Sequence, residues 1–88
     1  MNLLLLYDIS HDNTRTKIAD ACLDYGLDRV QYSAFAGRLS RNHQQELMLK
    51  IRHLLGEKAG RVQLIPISAD NWAQRLELDN GLLEGNHA

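Results

Sequence analysis

A chain of 88 residues makes one domain with a modest core, so its stability alone is marginal. Its single cysteine, Cys22, excludes an intrachain disulfide and no Cys/His spacing suggests zinc, so with 44% hydrophobic residues self-association is the remaining staple. A net charge of −1 argues against indiscriminate polyanion binding, but residues 1–61 hold nine Lys/Arg against seven Asp/Glu and residues 62–88 one against four, giving a basic body and an acidic tail.

The opening MNLLLLYD has no basic stretch before its apolar run and no small-residue cleavage site, so it does not read as a signal peptide. No run reaches the length of a membrane span, and a lone cysteine suits a reducing compartment. A cytoplasmic protein with no membrane contact is expected.

Residues 3–9 form a short apolar run ending in Tyr7-Asp8-Ile9, suited to a central strand. Asp12 or Asn13 then caps a helix over residues 14–25, with Ile18, Ala21, Cys22 and Tyr25 at helical spacing and Gly26 as its stop. Residues 27–39 alternate with period two. Their length predicts a bent strand or two strands joined near residues 33–36, although no Asn-Gly type turn marks the division.

Ser40 or Asn42 caps a second helix, Asn42 and Gln45 resembling a capping box, with Leu47, Met48, Ile51, Leu54 and Leu55 as its apolar face. Residues 61–67 alternate again, and Pro66 places that strand's end or edge where no ladder donor is needed. Trp72, Leu76 and Leu78 are candidate anchors for the tail. Residues 1–80 are read as one domain and residues 81–88 as a frayed end.

With the middle region split, the order is βαββαβ, an α+β ferredoxin-like pattern. One antiparallel sheet carries both helices on one face. Val30, Tyr32, Val62 and Leu64 are assigned to the other face, which is too apolar to stay wet, so a second copy is expected to cover it as a C2 homodimer.

Asp8 ends the first strand directly before a helix, where a carboxylate can hold a divalent metal through oxygen. One carboxylate is too few for a tight site, and two copies near a dimer axis supply a pair. The helix start adds unpaired N–H groups suited to phosphate, with Arg15 and Lys17 nearby. Arg29 opens the second strand region and Arg38 and Arg41 close it; a guanidinium grips phosphate with two bonds, and convergence of several on one face would count for more than any alone. Tyr7, Tyr32 and Phe35 offer faces for bases, although aromatics more often serve the core. Of the histidines, only His11 lies close to Asp8, as a solvated loop residue, an acid/base or a weak ligand. Glycine-rich phosphate loops, Ser/His/Asp arrangements and CxxC pairs are absent from the sequence.

Two stretches carry a resemblance. Tyr7-Asp8-Ile9-Ser10, with Asp12, Arg15 and Lys17 after it, and the block YGLDRVQYSAFAGRL over residues 25–39 are similar to the CRISPR-associated Cas2 family, a likeness that covers roughly residues 1–67. The resemblance implies a ferredoxin-like homodimer with facing sheets, in which the C-terminal segment, residues 75–78 here, adds a strand to the partner's sheet. It implies a metal-binding and catalytic aspartate at Asp8, with Mg2+ or Mn2+ as cofactor, and further functional positions at Tyr7, Arg15, Lys17, Arg29 and Phe35. Where many relatives carry arginine, Lys17 keeps the charge and loses the bidentate grip.

Some family members are metal-dependent endonucleases on RNA or double-stranded DNA. In CRISPR adaptation the family bridges dimers of an integrase that inserts a captured duplex as a spacer. A clamp for any captured sequence must grip backbone, not bases. The resemblance thus implies either a DNA-binding adaptor for an integrase or an endonuclease using Asp8. The alternatives are a toxin-like endoribonuclease and a small-ligand-binding regulatory module on the same fold.

Overall fold

The computed structural model describes residues 1–80; the expectation of a frayed end at residues 81–88 lies outside the described residues. The elements run β1 (Asn2–Ile9), α1 (Asp12–Asp24), β2 (Asp28–Gln31), β3 (Ala34–Arg38), α2 (Arg41–Leu55), β4 (Gly60–Ile67) and a short α3 (Ala69–Ala73). The sheet order is β2-β3-β1-β4, with every neighbouring pair antiparallel, as the βαββαβ reading requires. β4 lies at one edge, which leaves Pro66 a place where its missing N–H costs nothing.

Alternation along β1 decides the layering. Leu3, Leu5, Tyr7 and Ile9 are buried and pack with Ile18, Cys22, Leu27, Phe35, Leu47 and Ile51 under the helices. Leu4 and Leu6 point the other way and are half-buried, and Asp8 on that parity is exposed.

The register corrects the expected uncovered face. Leu5 pairs with Leu64 and Tyr7 with Val62, and directly opposed residues share a face. Val62 and Leu64 therefore lie on the helix side, packed against the core. Val30 sits at an irregularity between Arg29 and Gln31, and Tyr32 lies in the turn, outside the ladder. The helix-free face is made by Leu4 and Leu6 with Ile65, Ile67, Ala34 and Ala36. Residues 61–67 are apolar on both parities, so period two alone could not say which set faces inward.

Local chemistry sets the element ends. α1 is capped by His11, not Asp12 or Asn13: its Nδ1 accepts from the Thr14 N–H at 3.2 Å and lies 2.8 Å from the Thr14 hydroxyl. Gly26, at φ +85°, ends the helix as expected; its N–H donates to the Leu23 carbonyl and the Leu27 N–H to the Cys22 carbonyl, a Schellman pairing. Ser40, one of the two expected residues, caps α2 by accepting from the His43 N–H. The buried Gln44 amide donates to the Leu39 carbonyl and so gives that carbonyl a partner. Trp72 is half-buried on α3, but Leu76 and Leu78 are 97% and 91% exposed, so they do not anchor the tail to this chain's core.

Candidate nucleic-acid interface

The C-terminal end of β1 gathers most of the expected residues. Tyr7 points under the helices and Asp8 away from them, the ordinary consequence of strand alternation. Arg15 is on the first turn of α1, and helical side chains lean toward the N-terminus. Its guanidinium consequently reaches back, donating through Nη1 to the Ile9 carbonyl at 2.8 Å and through Nη2 to the Asp12 carboxylate. The Asp12 bond, opposed by partial burial and aided by Tyr32, holds the Arg15 pKa above its ordinary value.

Arg29 arrives from the far edge. It is paired with Phe35 across β2 and β3, so its side chain lies on the helix face. The guanidinium carbon stands 5.1 Å from the Phe35 ring centre, and Nη2 is 3.5 Å from the Tyr7 hydroxyl. Tyr7 and Phe35 stack at 6.2 Å with planes 25° apart. Phe35 is fully buried and Tyr7 nearly so. Neither ring presents a face to a base; they form the floor beneath Arg29, which is the core role that aromatics more often fill.

Tyr32, in the tight turn between β2 and β3, differs. It is 64% exposed, and its ring centre is 5.7 Å from the Arg15 guanidinium carbon and 5.8 Å from that of Arg29. The convergence of arginines is therefore real for Arg15 and Arg29. Arg38 is elsewhere: it pairs with Asn2, six residues along β1 from Asp8, roughly 20 Å away at strand rise. Arg41 begins α2 beyond it. Lys17 is exposed and, two residues on, turned roughly 200° around α1 from Arg15, so it does not join the pair.

Asp8 is exposed, and its carboxylate has no hydrogen bond or ion pair among the described residues. It pairs in register with Arg61 of β4, and the two share a small hollow of about 120 Å³ with Leu6 and Gln63. Arg61 did not stand out in the sequence; only strand register brings it beside Asp8. No cluster of three or more His, Cys, Asp or Glu able to hold a metal exists among the described residues. Asp8 is a hard oxygen donor of the kind Mg2+ or Mn2+ takes, but one chain brings only this carboxylate. The expected phosphate site at the start of α1 is partly taken, since His11 already accepts from Thr14. His11 therefore acts as a helix cap.

A βαββαβ α+β domain, with an unpartnered strand-end carboxylate and two arginines gathered on one exposed tyrosine, defines a ferredoxin-like protein whose charged end suits phosphate. Comparison with known proteins narrows this class. The family described as CRISPR associated protein Cas2 matches residues 1–75, and the chain belongs to that family. A Chloroflexus aurantiacus protein named CRISPR-associated endoribonuclease Cas2 2 is 47% identical over 79 residues, 90% of this chain and 93% of that one. A shorter match, 46% identity over 39 residues (44% of this chain, 15% of the other), joins it to a Thermoproteus tenax protein named as a Cas1/Cas2 endonuclease fusion. The crystal structure of Streptococcus pyogenes Cas2 superposes with a TM-score of 0.76, covering 89% of this chain and 98% of that one at 24% identity, and so shares the fold. No helix among the described residues is long and apolar enough to cross a membrane.

Proposed function

We propose that this chain acts in CRISPR adaptation as a homodimer that grips duplex DNA by its backbone and joins subunits of an integrase. The observation that carries the reading is the gathering of Arg15 and Arg29 on Tyr32 at the end of the sheet where Asp8 stands unpartnered. Two guanidiniums on a shared exposed ring suit phosphate oxygens and ignore base identity, as capture of arbitrary sequence demands. The helix-free apolar face of Leu4, Leu6, Ile65 and Ile67 supplies a surface for the second copy. Leu76 and Leu78, almost wholly exposed, supply apolar side chains that this chain's own core does not cover, in keeping with addition to that copy's sheet. The integrase partner is supported by the relative in which Cas1 and Cas2 are one chain.

A nuclease activity needs the dimer more than the clamp does. With one carboxylate per chain, Asp8 of both copies would hold Mg2+ or Mn2+ near the twofold axis. A divalent ion there supplies charge stabilisation at a phosphodiester and a more acidic water. This chain's own part is to place the carboxylate and to hold the phosphate with Arg15 and Arg29. RNA is the second substrate reading, favoured because relatives 47% and 42% identical are named endoribonucleases.

Asp8→Asn separates the two roles. The expected outcome is loss of Mg2+-dependent cutting by the purified protein, with unchanged duplex affinity and continued spacer insertion in cells that carry the integrase. Loss of insertion by a folded Asp8→Asn dimer that still binds DNA would overturn the adaptor reading. Absent duplex binding at low salt by the parent protein would overturn the clamp.

A further inference from the structure

We propose that Tyr32 is a positioning residue that holds Arg15 and Arg29 together as one two-cation phosphate grip. The inference rests on the reading of those arginines as phosphate ligands and assigns the residue that brings them together. The two come from distant places, one from the first turn of α1 and the other from the edge strand β2. Two guanidiniums repel, and nothing in their own elements draws them together. Each is tied separately: Arg15 to the Ile9 carbonyl and Asp12, Arg29 to the Phe35 ring and the Tyr7 hydroxyl. Tyr32 is the group common to both, with ring-to-guanidinium distances of 5.7 and 5.8 Å.

The negative face of an aromatic ring attracts a cation without consuming its N–H donors. Arg15 already gives donors to the Ile9 carbonyl and the Asp12 carboxylate, so a further carboxylate in the ring's place would occupy more of the donors that phosphate needs. Tyr32 is moreover held in place through its backbone: its carbonyl lies 3.5 Å from the Tyr7 hydroxyl, and the turn closes as the Tyr7 N–H donates to the Ser33 carbonyl at 3.1 Å. The ring position is thereby tied to β1 beside Asp8, while the ring stays exposed. An exposed tyrosine contributes little to the core, so its side chain can be replaced without unfolding the chain.

The test compares Tyr32→Leu and Tyr32→Phe with Arg15→Ala and Arg29→Ala, using the full chain and a labelled DNA duplex across a sodium chloride series. Circular dichroism melting first confirms that Tyr32→Leu folds. Each phosphate contact contributes roughly 0.9 to the slope of log K against log salt. Tyr32→Leu is expected to weaken binding about five- to tenfold and lower the slope by about one contact per chain. Tyr32→Phe, which keeps the ring and loses only the hydroxyl's contact with Arg15, is expected to stay within about twofold of the parent with an unchanged slope.

If Tyr32→Leu loses affinity at an unchanged slope, the ring touches nucleic acid itself and the positioning role is overturned. If Tyr32→Leu behaves as the parent while both arginine variants lose slope, the inference fails and the phosphate reading stands. If the arginine variants also keep the full slope, the phosphate reading falls and the inference with it.

Discussion

The two faces of the sheet are built from alternate residues of the same strand and meet different fates. On one side, Leu3, Leu5, Tyr7 and Ile9 disappear beneath α1 and α2. On the other, Leu4, Leu6, Ile65 and Ile67 are only partly covered and Asp8 reaches solvent. The first face carries the stability of the single chain; the second has no helix over it and is the one proposed for a second copy. An apolar face adjoining an exposed carboxylate puts the surface proposed for a second copy next to the proposed chemistry, so on that reading assembly and activity depend on each other.

The largest effect should come from substitutions that treat the two parities alike. Leu5→Ala empties a fully buried site and is expected to cost about 3 kcal/mol in urea unfolding, with no change in molecular mass. Leu6→Lys, one residue later, is expected to leave the fold intact and convert a dimer to a monomer in light scattering. Both are compared with the parent at one protein concentration, because dimer stability follows mass action. A parent that is monomeric, or a Leu6→Lys protein that stays dimeric, would break the division of labour between the faces.

Cys22 reports on the dryness of the helix side. Burial, opposed by the positive charge of Arg29, pushes its thiol up to about 11. The folded chain thus keeps the proton to a higher pH than the unfolded chain, whose thiol titrates near the ordinary value of about 8.5. The corresponding stability is fully present below that ordinary value and is lost as pH rises toward 11. The loss has a limiting slope of about 1.4 kcal/mol per pH unit. The urea midpoint of the parent should fall between pH 8 and pH 10, and Cys22→Ala should flatten that fall. An equal fall in both proteins would mean that other groups govern the alkaline limb.

The split fold, the α1 stop at Gly26, Ser40 as one of two candidate caps and the strand-ending position of Asp8 were all legible in residue types and spacing. Each is a local matter: a φ that only glycine takes easily, a hydroxyl before a helix, a charge ending an apolar run. Which face Val62 and Leu64 occupy was not legible, because Ile65 and Ile67 satisfy the opposite parity equally well and only pairing with β1 decides. The same long-range pairing put Arg61 beside Asp8 and Arg38 at the far end of the sheet. Tyr32 was visible as an aromatic residue, but its exposure and its two cationic neighbours follow from a turn without an Asn-Gly signal.

The smallest effect concerns how the helix layer is fastened to the charged end. His11, in the two-residue link between β1 and α1, accepts from the N–H of Thr14, the third residue of α1, so its Nδ1 carries no proton in this arrangement. His11→Ala leaves that N–H without its side-chain acceptor and is expected to cost about 1 kcal/mol, whereas His11→Asn, a good cap, should retain most of it. Because the cap sets where the first turn begins, it also sets where Arg15 can reach the Ile9 carbonyl. His11→Ala should therefore weaken duplex binding modestly along with stability, and His11→Asn should restore both. If His11→Ala melts like the parent, packing of Ile18 and Cys22 against the sheet is enough to hold α1, and the cap adds nothing to the grip.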